Sequence, residues 1–296
     1  MNGKRGETVG SPLRATPLRV LAGLVAVVHP FPVAVVVGTS VALLLIAHRG
    51  IPGANLLVRA SVAVLLSQMA VGALNDVVDR HHDELTQPNK PIVRGLVTPA
   101  LALGLTGASL LALVPLAWSF GPLPFCYIAV GTAAGLAYDL WLKPTAFSVV
   151  GYLVGFMALI TWIWTVAGHF TPTFFVVYPA GALLLCAAHL AQSFPDIESD
   201  LSTGRRGLAT RLGVSITFWA IVVPVLAMAF GGLVLSVLVA SRSGAALNLA
   251  ALLLAVPVIA LHQRALQDRR TRVVVFRFIA PSIAATVLGS LLALSV

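Results

Sequence analysis

Nine stretches of about 20 mostly apolar residues dominate this chain, and each is long enough to cross a bilayer as a helix. They lie at roughly 28–47, 54–75, 98–118, 122–140, 147–168, 173–194, 215–240, 244–262 and 273–295, separated by charged or proline-containing breaks. In lipid a backbone must satisfy its own polar groups, so runs of this length read as helices. The expected fold class is an all-α integral membrane protein with nine transmembrane helices. Composition agrees. Of the 296 residues, 58% are hydrophobic and only 10% charged, against about a quarter charged in a soluble domain. Such a chain cannot cover a water-facing surface, and whole-chain disorder or nucleic-acid binding is excluded. Cys126 and Cys186 both fall inside apolar runs and read as packing thiols rather than a disulfide framework.

Residues 1–16 are polar and rich in small residues and read as a disordered cytoplasmic N-terminus. Residues 17–296 read as one membrane domain, entered by an interfacial lead-in helix from Pro17 to His29. No small-residue cleavage site follows that helix, so it reads as retained rather than as a signal peptide.

Orientation follows from Lys and Arg. By parity of the spans, Lys4, Arg5, Arg14, Arg19, Arg80, Lys90, Arg94, Lys143, Arg205, Arg206, Arg211, Arg264, Arg269, Arg270 and Arg272 share one side; Arg49, Arg59 and Arg242 lie on the other. The positive-inside rule puts the first side, with the N-terminus, in the cytoplasm. The expected location is a bacterial plasma membrane. The net charge of +9 is then mostly topology, and no nucleic-acid partner is implied.

The acids are more specific. Eight of ten lie in or beside three connections on that same side: Asp76, Asp79, Asp83 and Glu84; Asp139; and Asp196, Glu198 and Asp200. Topology has no use for clustered carboxylates. Asp76, Asp79 and Asp83 are spaced i, i+3, i+7, one face of a continuing helix. Like charges so placed repel, and a divalent cation among them relieves the repulsion. Asp196 and Asp200 repeat the arrangement at i, i+4. Carboxylate oxygens without Cys suit a hard cation, and Mg²⁺ is held by one or two carboxylates plus substrate phosphate. His81 and His82 could serve Zn²⁺, but no second His/Cys pair at ligand spacing accompanies them.

Basic residues attend each cluster: Lys90 and Arg94 after the first, Arg205, Arg206 and Arg211 after the second, with Tyr138 and Lys143 between. Lys and Arg meet phosphate oxygens by charge-assisted hydrogen bonds, so acids, hard cation and bases together describe a diphosphate site. Arg269, Arg270 and Arg272 read instead as membrane anchors. Arg94-Gly95-Leu96-Val97-Thr98 is similar to Arg206-Gly207-Leu208-Ala209-Thr210, which raises the expectation of two four-helix repeats plus a ninth helix. The pairs Gly131/Gly135 and Gly151/Gly155 report close helix packing.

The run Asn75-Asp76-x-x-Asp79-x-x-x-Asp83 resembles the first aspartate-rich motif of the UbiA superfamily of intramembrane prenyltransferases. Asp196-x-x-x-Asp200, with Gly204 and Leu212-Gly213, resembles the second. Tyr138 with Lys143, and Lys90-Pro91 with Gly95, resemble further family segments, and the resemblance covers about residues 18–295. It implies a UbiA-like helical bundle with a cavity toward the cytoplasmic leaflet. It also implies transfer of a prenyl group from an isoprenyl diphosphate to a hydrophobic or aromatic acceptor such as a lipid-quinone precursor, with Mg²⁺ as cofactor. Carried over, Asn75, Asp76, Asp79 and Asp83 serve the metal on one side, and Asp196 and Asp200 on the other. Tyr138 and Lys143 hold the diphosphate. Lys90, Arg94, Arg205, His189 and Gln192 are further candidate substrate contacts.

The chemistry suits these residues: Mg²⁺ and Lys/Arg stabilise the leaving diphosphate, while dry walls protect the allylic cation from water. Trp162, Trp164 and Phe194 are candidate walls. The sequence departs from the family where many members have Arg-Pro before the first span; here it is His29-Pro30, with Arg19 an alternative base. A terpene cyclase on the same scaffold, needing no acceptor, stays open. A cation- or proton-coupled transporter expects ionisable groups at the membrane midplane, where this chain has almost none.

Overall fold

The computed structural model describes residues 16–172 and 174–294, and among these there is no β-strand. The segment expected to be a disordered N-terminus therefore lies, all but its last residue, outside the described residues. The helices run in chain order: α1 (Pro17–Val27), α2 (Pro30–Ala47), α3 (Ala54–Val78), α4 (Arg80–Thr86), α5 (Pro99–Trp118), α6 (Pro122–Ala137), α7 (Ser148–Val166), α8 (Phe174–Ser193), α9 (Ile197–Ser202), α10 (Leu208–Leu238), α11 (Arg242–Ala255), α12 (His262–Gln267) and α13 (Arg269–Leu294). A π turn, Tyr138–Leu142, prolongs α6, and a 3₁₀ segment, Val256–Leu261, joins α11 to α12.

Among the described residues, eight helices are long and apolar enough to cross a membrane: α2, α3, α5, α6 with its π turn, α7, α10, α11 through α12, and α13. That is one fewer than the nine expected. The remaining run, 173–194, is occupied by α8, which starts beside residue 173, outside the described residues. Many large apolar side chains are exposed, Leu111, Leu238, Phe230 and Leu253 among them. In a bilayer these face lipid, so their exposure carries no penalty.

Helix starts follow local chemistry. Proline opens α1, α2, α5 and α6, where its missing N–H costs nothing. Thr98 caps α5 by accepting from Leu101 N at 3.2 Å. Asp268 caps α13, accepting from the Arg270 and Thr271 amides at 3.0 Å each. Those backbone hydrogen bonds, led by Arg270's, hold its carboxyl below the usual range.

Ends at the acidic side outrun the apolar runs. α3 reaches Val78, and α10 begins at Leu208 and kinks at Gly213, whose φ of 74° suits glycine alone. The two similar pentapeptides do not share a conformation. Gly95 has φ 68° and precedes the cap Thr98, whereas Gly207 has φ −63° and Thr210 lies inside α10. The local match thus lends no support to a repeat.

Close approaches set the site's geometry. Gly131 of α6 lies against Gly155 of α7, where an added Cβ would stand 3.2 Å from the Gly155 carbonyl. This is the close packing the glycine pairs implied. On α3, a Cβ at Gly72 would lie 2.9 Å from the Val28 carbonyl oxygen. The bare backbone there lets the α1–α2 joint rest on α3, one turn before Asp76. Gly72→Val is expected to push the joint away and separate His29 from Asp76. The expected result is a lower unfolding temperature in detergent together with reduced turnover; unchanged values for both would contradict the contact's role.

Candidate active site

The two acidic segments, over a hundred residues apart in sequence, meet at one end of the bundle. Asp76, Asp79 and Asp83 stand at the end of α3 and in α4 and are 1%, 4% and 1% exposed. Burying ionised carboxylates costs several kcal/mol each unless they are paired, and each has a cation. Lys90 Nζ lies 2.8 Å from Asp76 Oδ1 and 2.8 Å from Asp83 Oδ2, so one ammonium bridges the outer pair. Asp79 turns instead to Lys143, from the segment after α6, and to Arg205, from the loop after α9. Burial alone would raise the Asp79 pKa, but the Lys143 and then the Arg205 charge outweigh it and hold it below the ordinary value. For Lys90, burial pulls its pKa down, yet its bonds to Asp76 and Asp83 leave it raised.

Arg205 is the direct link between the acidic segments. His82 Nε2 adds a second, 3.7 Å from Asp200 Oδ1. Burial raises the Asp200 pKa, with Asp196 and Asp79 adding to the effect against Arg205 and Lys143. Asp196 is half-exposed and pairs with Arg269 at 2.8 Å; Glu198 pairs with Arg272 at 2.8 Å. The reading of Arg269 and Arg272 as membrane anchors is therefore corrected: the cap at Asp268 starts α13 where these guanidiniums clamp the second acidic segment. The lone acid of the middle connection, Asp139, is buried in the π turn and accepts from Asn75 Nδ2 at 2.8 Å.

His29, standing where the resemblance expects arginine, reaches the site itself. Its φ of 56° is left-handed, an uncommon conformation for a non-glycine residue, and its Nε2 lies 2.9 Å from Asp76 Oδ1. Arg19, the alternative base, is exposed. A cavity of about 470 Å³ opens beside this pair, lined by His29, Asp76, Gln87, Asn89 and Lys90 among others.

Other expected contacts are placed differently. His189 is buried and hydrogen-bonded to Ser148 Oγ at 2.9 Å, with the Tyr138 and Tyr152 rings 6.0 and 5.4 Å away. It joins α7 to α8 beneath the site. Arg94 and Gln192 are exposed and belong to no ion pair among the described residues. Trp162 packs edge-to-face on Phe120 at 5.6 Å, and Phe194 packs on Phe218 at 6.2 Å in the α8–α10–α13 core. Their role as described is packing. His81 is exposed and lies 3.7 Å from Glu84.

Among the described residues, no three His, Cys, Asp or Glu side chains are already grouped around a metal position. Lysine and arginine hold the carboxylates instead. The donor set still fits a hard cation. It is all oxygen, and both Asp76 oxygens and Asp139 Oδ2 are buried without an aligned hydrogen bond. For Asp76 the neighbouring Lys90 and His29 nitrogens sit at ion-pair distance but outside hydrogen-bond angles. Such under-satisfied buried oxygens are costly without a further ligand.

The UbiA prenyltransferase family model matches residues 35–281, and the chain belongs to this family. A digeranylgeranylglyceryl phosphate synthase of Methanospirillum hungatei is 31% identical over 189 residues, 62% of this chain and 65% of the relative. The chain thus matches just under two thirds of that relative's length. A structure described as digeranylgeranylglyceryl phosphate synthase in membranes superposes with a TM-score of 0.68 at 15% identity, covering 92% of this chain and 99% of that one. A UbiA homologue from Archaeoglobus fulgidus, bound to DMAPP and Mg²⁺, gives a TM-score of 0.65 at 15% identity, covering 90% and 99%.

Proposed function

We propose that this protein transfers a prenyl group from an isoprenyl diphosphate to a lipid-soluble acceptor within the membrane, with Mg²⁺ as cofactor. The observation that carries the reading is Arg205 and Lys143 converging on Asp79, which joins two acidic segments and a basic one at a single bundle end. Asn75, Asp76, Asp79 and Asp83 would hold the metal from one side, Asp196 and Asp200 from the other. When bound, Mg²⁺ supplies neutralisation of the diphosphate's charge. Lys90, Lys143 and Arg205 are held at the rim by carboxylates and offer N–H donors to phosphate oxygens.

In the reaction the allylic C–O bond breaks and its electron pair leaves with diphosphate. The acceptor then forms the new bond to carbon and loses a proton. Surrounding apolar helices keep water from competing. We read α8 as the ninth span and place the acidic end at the cytoplasmic face, as the Lys and Arg distribution supports; that the membrane is a bacterial plasma membrane is part of the proposal and does not follow from the charges.

For the acceptor, the relatives' name favours the hydroxyl of a prenylated glyceryl phosphate over the aromatic ring expected from the family at large. The test is product analysis with labelled geranylgeranyl diphosphate, purified protein, and each acceptor class in turn. A labelled lipid ether supports the reading. Label on an aromatic acceptor alone overturns the acceptor assignment, and a cyclised hydrocarbon without acceptor establishes the cyclase instead.

Lys143→Met is expected to lower turnover about a hundredfold, the scale of losing one preorganised donor. The fold should survive, since Arg205 still pairs with Asp79. Parallel measurement of turnover and unfolding temperature checks this, and an active Lys143→Met enzyme would remove lysine from the diphosphate contacts.

A further inference from the structure

Asp139 is 4% exposed, and the reaction as proposed gives it no task. It stands in the π turn after α6, a feature that often marks functional sites. Its Oδ1 accepts from Asn75 Nδ2 at 2.8 Å, while its Oδ2 is buried without a hydrogen-bond partner. As a mere pin between α6 and α3, a carboxylate is a poor choice. Asparagine could accept the same hydrogen bond at a smaller desolvation cost. What sets an ionised carboxylate apart is that it can only accept.

That property bears on Asn75. Its amide nitrogen donates to Asp139 Oδ1 at 2.8 Å and to Asp79 Oδ2 at 3.3 Å. Both partners are acceptors, so the NH₂ is fixed between them and the carbonyl oxygen is turned away from both. The hydrogen bonds of the Asn75 side chain are those its nitrogen donates, and the next residue, Asp76, has both oxygens buried without an aligned hydrogen bond. Asp79 alone would hold the amide weakly, because its bond is the longer and Lys143 and Arg205 already compete for it.

We infer that Asp139 is a positioning residue that locks the Asn75 amide so that its carbonyl oxygen, rather than its NH₂, faces a divalent cation at the first acidic motif. This rests on the Mg²⁺-dependent reading above. Without Asp139, a half-turn of the amide would present two N–H donors to the cation and repel it. The residue acts through Asn75, as the outer partners of metal ligands do elsewhere.

The test is Mn²⁺ binding to the purified full-length protein in detergent with inorganic diphosphate, read from the free-Mn²⁺ electron paramagnetic resonance signal. Asp139→Ala is expected to weaken binding about tenfold or more, the usual cost of losing such a partner. Asp139→Asn can still accept but can also donate, so about a two- to threefold loss is expected. In an Asn75→Ala background, Asp139→Ala should cost nothing further. Equal losses from the alanine and asparagine variants would show that charge alone matters and overturn the inference. So would an undiminished loss in the Asn75→Ala background, or no loss at all. Unfolding temperatures are recorded for every variant, and Asp139→Thr, too short to reach Asn75, replaces an alanine variant that does not fold. If the wild type itself binds no Mn²⁺ with diphosphate, the parent reading fails first and the inference falls with it.

Discussion

Asp79→Ala is expected to reduce prenyl transfer at least about a thousandfold, beyond the loss of a single donor, because one change removes a metal carboxylate and frees two cations together. Asp79 is where three segments meet: the end of α3, Lys143 after the π turn, and Arg205 from the loop after α9. With alanine there, Lys143 and Arg205 lose their shared countercharge and face each other. Arg205 also loses its tie to the first acidic motif. Asp76→Ala should be comparably severe. Its carboxylate is 1% exposed, and His29 and Lys90 both depend on it. Turnover and unfolding temperature measured on the same samples separate loss of chemistry from loss of fold. Near-normal turnover by the folded Asp79→Ala protein would remove the metal-diphosphate account.

The second large effect concerns stability and runs against exposure. Glu198 is 59% exposed and Arg272 fully buried, yet they form one pair at 2.8 Å. Removing the exposed partner leaves a buried guanidinium whose remaining hydrogen bond is to the Ala265 carbonyl at 3.2 Å. Stranding a buried charge costs about 3 kcal/mol or more. Arg272→Met instead leaves an exposed carboxylate in water and keeps much of the apolar stem. Glu198→Ala is therefore expected to lower the unfolding temperature by roughly twice the shift of Arg272→Met or more, following that cost. It should also loosen the second acidic segment, since Arg269, one turn earlier on α13, holds Asp196. Thermal unfolding of both variants in one detergent decides it. The reverse order would mean that Arg272 serves packing alone.

The helices were legible because lipid imposes a simple rule, about 20 apolar residues per span, and the acidic motifs were legible because carboxylates have no topological purpose. What escaped were contacts made only by tertiary approach. His29 meets Asp76 because the glycine at position 72 lets the α1–α2 joint rest on α3, and no local pattern encodes that. Arg269 and Arg272 look like anchors by position; only the cap at Asp268 and the turn into α13 aim them at Asp196 and Glu198. Asp139 had a visible signal, an acid directly after Tyr138 at the end of an apolar run. Its partner, Asn75, needed the π turn to be found. The aromatic candidates carry no such signal, because Trp162 and Phe194 sit in apolar runs like their neighbours; in the structure they pack on Phe120 and Phe218.

The i, i+3, i+7 spacing expects one continuing helix, whereas the helix breaks at Asp79, between α3 and α4; Asp76, Asp79 and Asp83 still meet at this end, but not as one unit. Lys90 spans Asp76 and Asp83, while Asp79 is given to cations from two other loops. This division places basic side chains on both flanks of Asp79, where the proposed diphosphate would meet them.

The central claim is that this buried ion network is a metal-dependent diphosphate site. Its most direct test is diphosphate release by the purified wild-type protein from geranylgeranyl and farnesyl diphosphates, with Mg²⁺ and with a chelator. The account predicts release with Mg²⁺, none with the chelator, and recovery when Mg²⁺ is restored. Release that is indifferent to Mg²⁺, or no release by folded protein supplied with donor, Mg²⁺ and lipid acceptors, would contradict it.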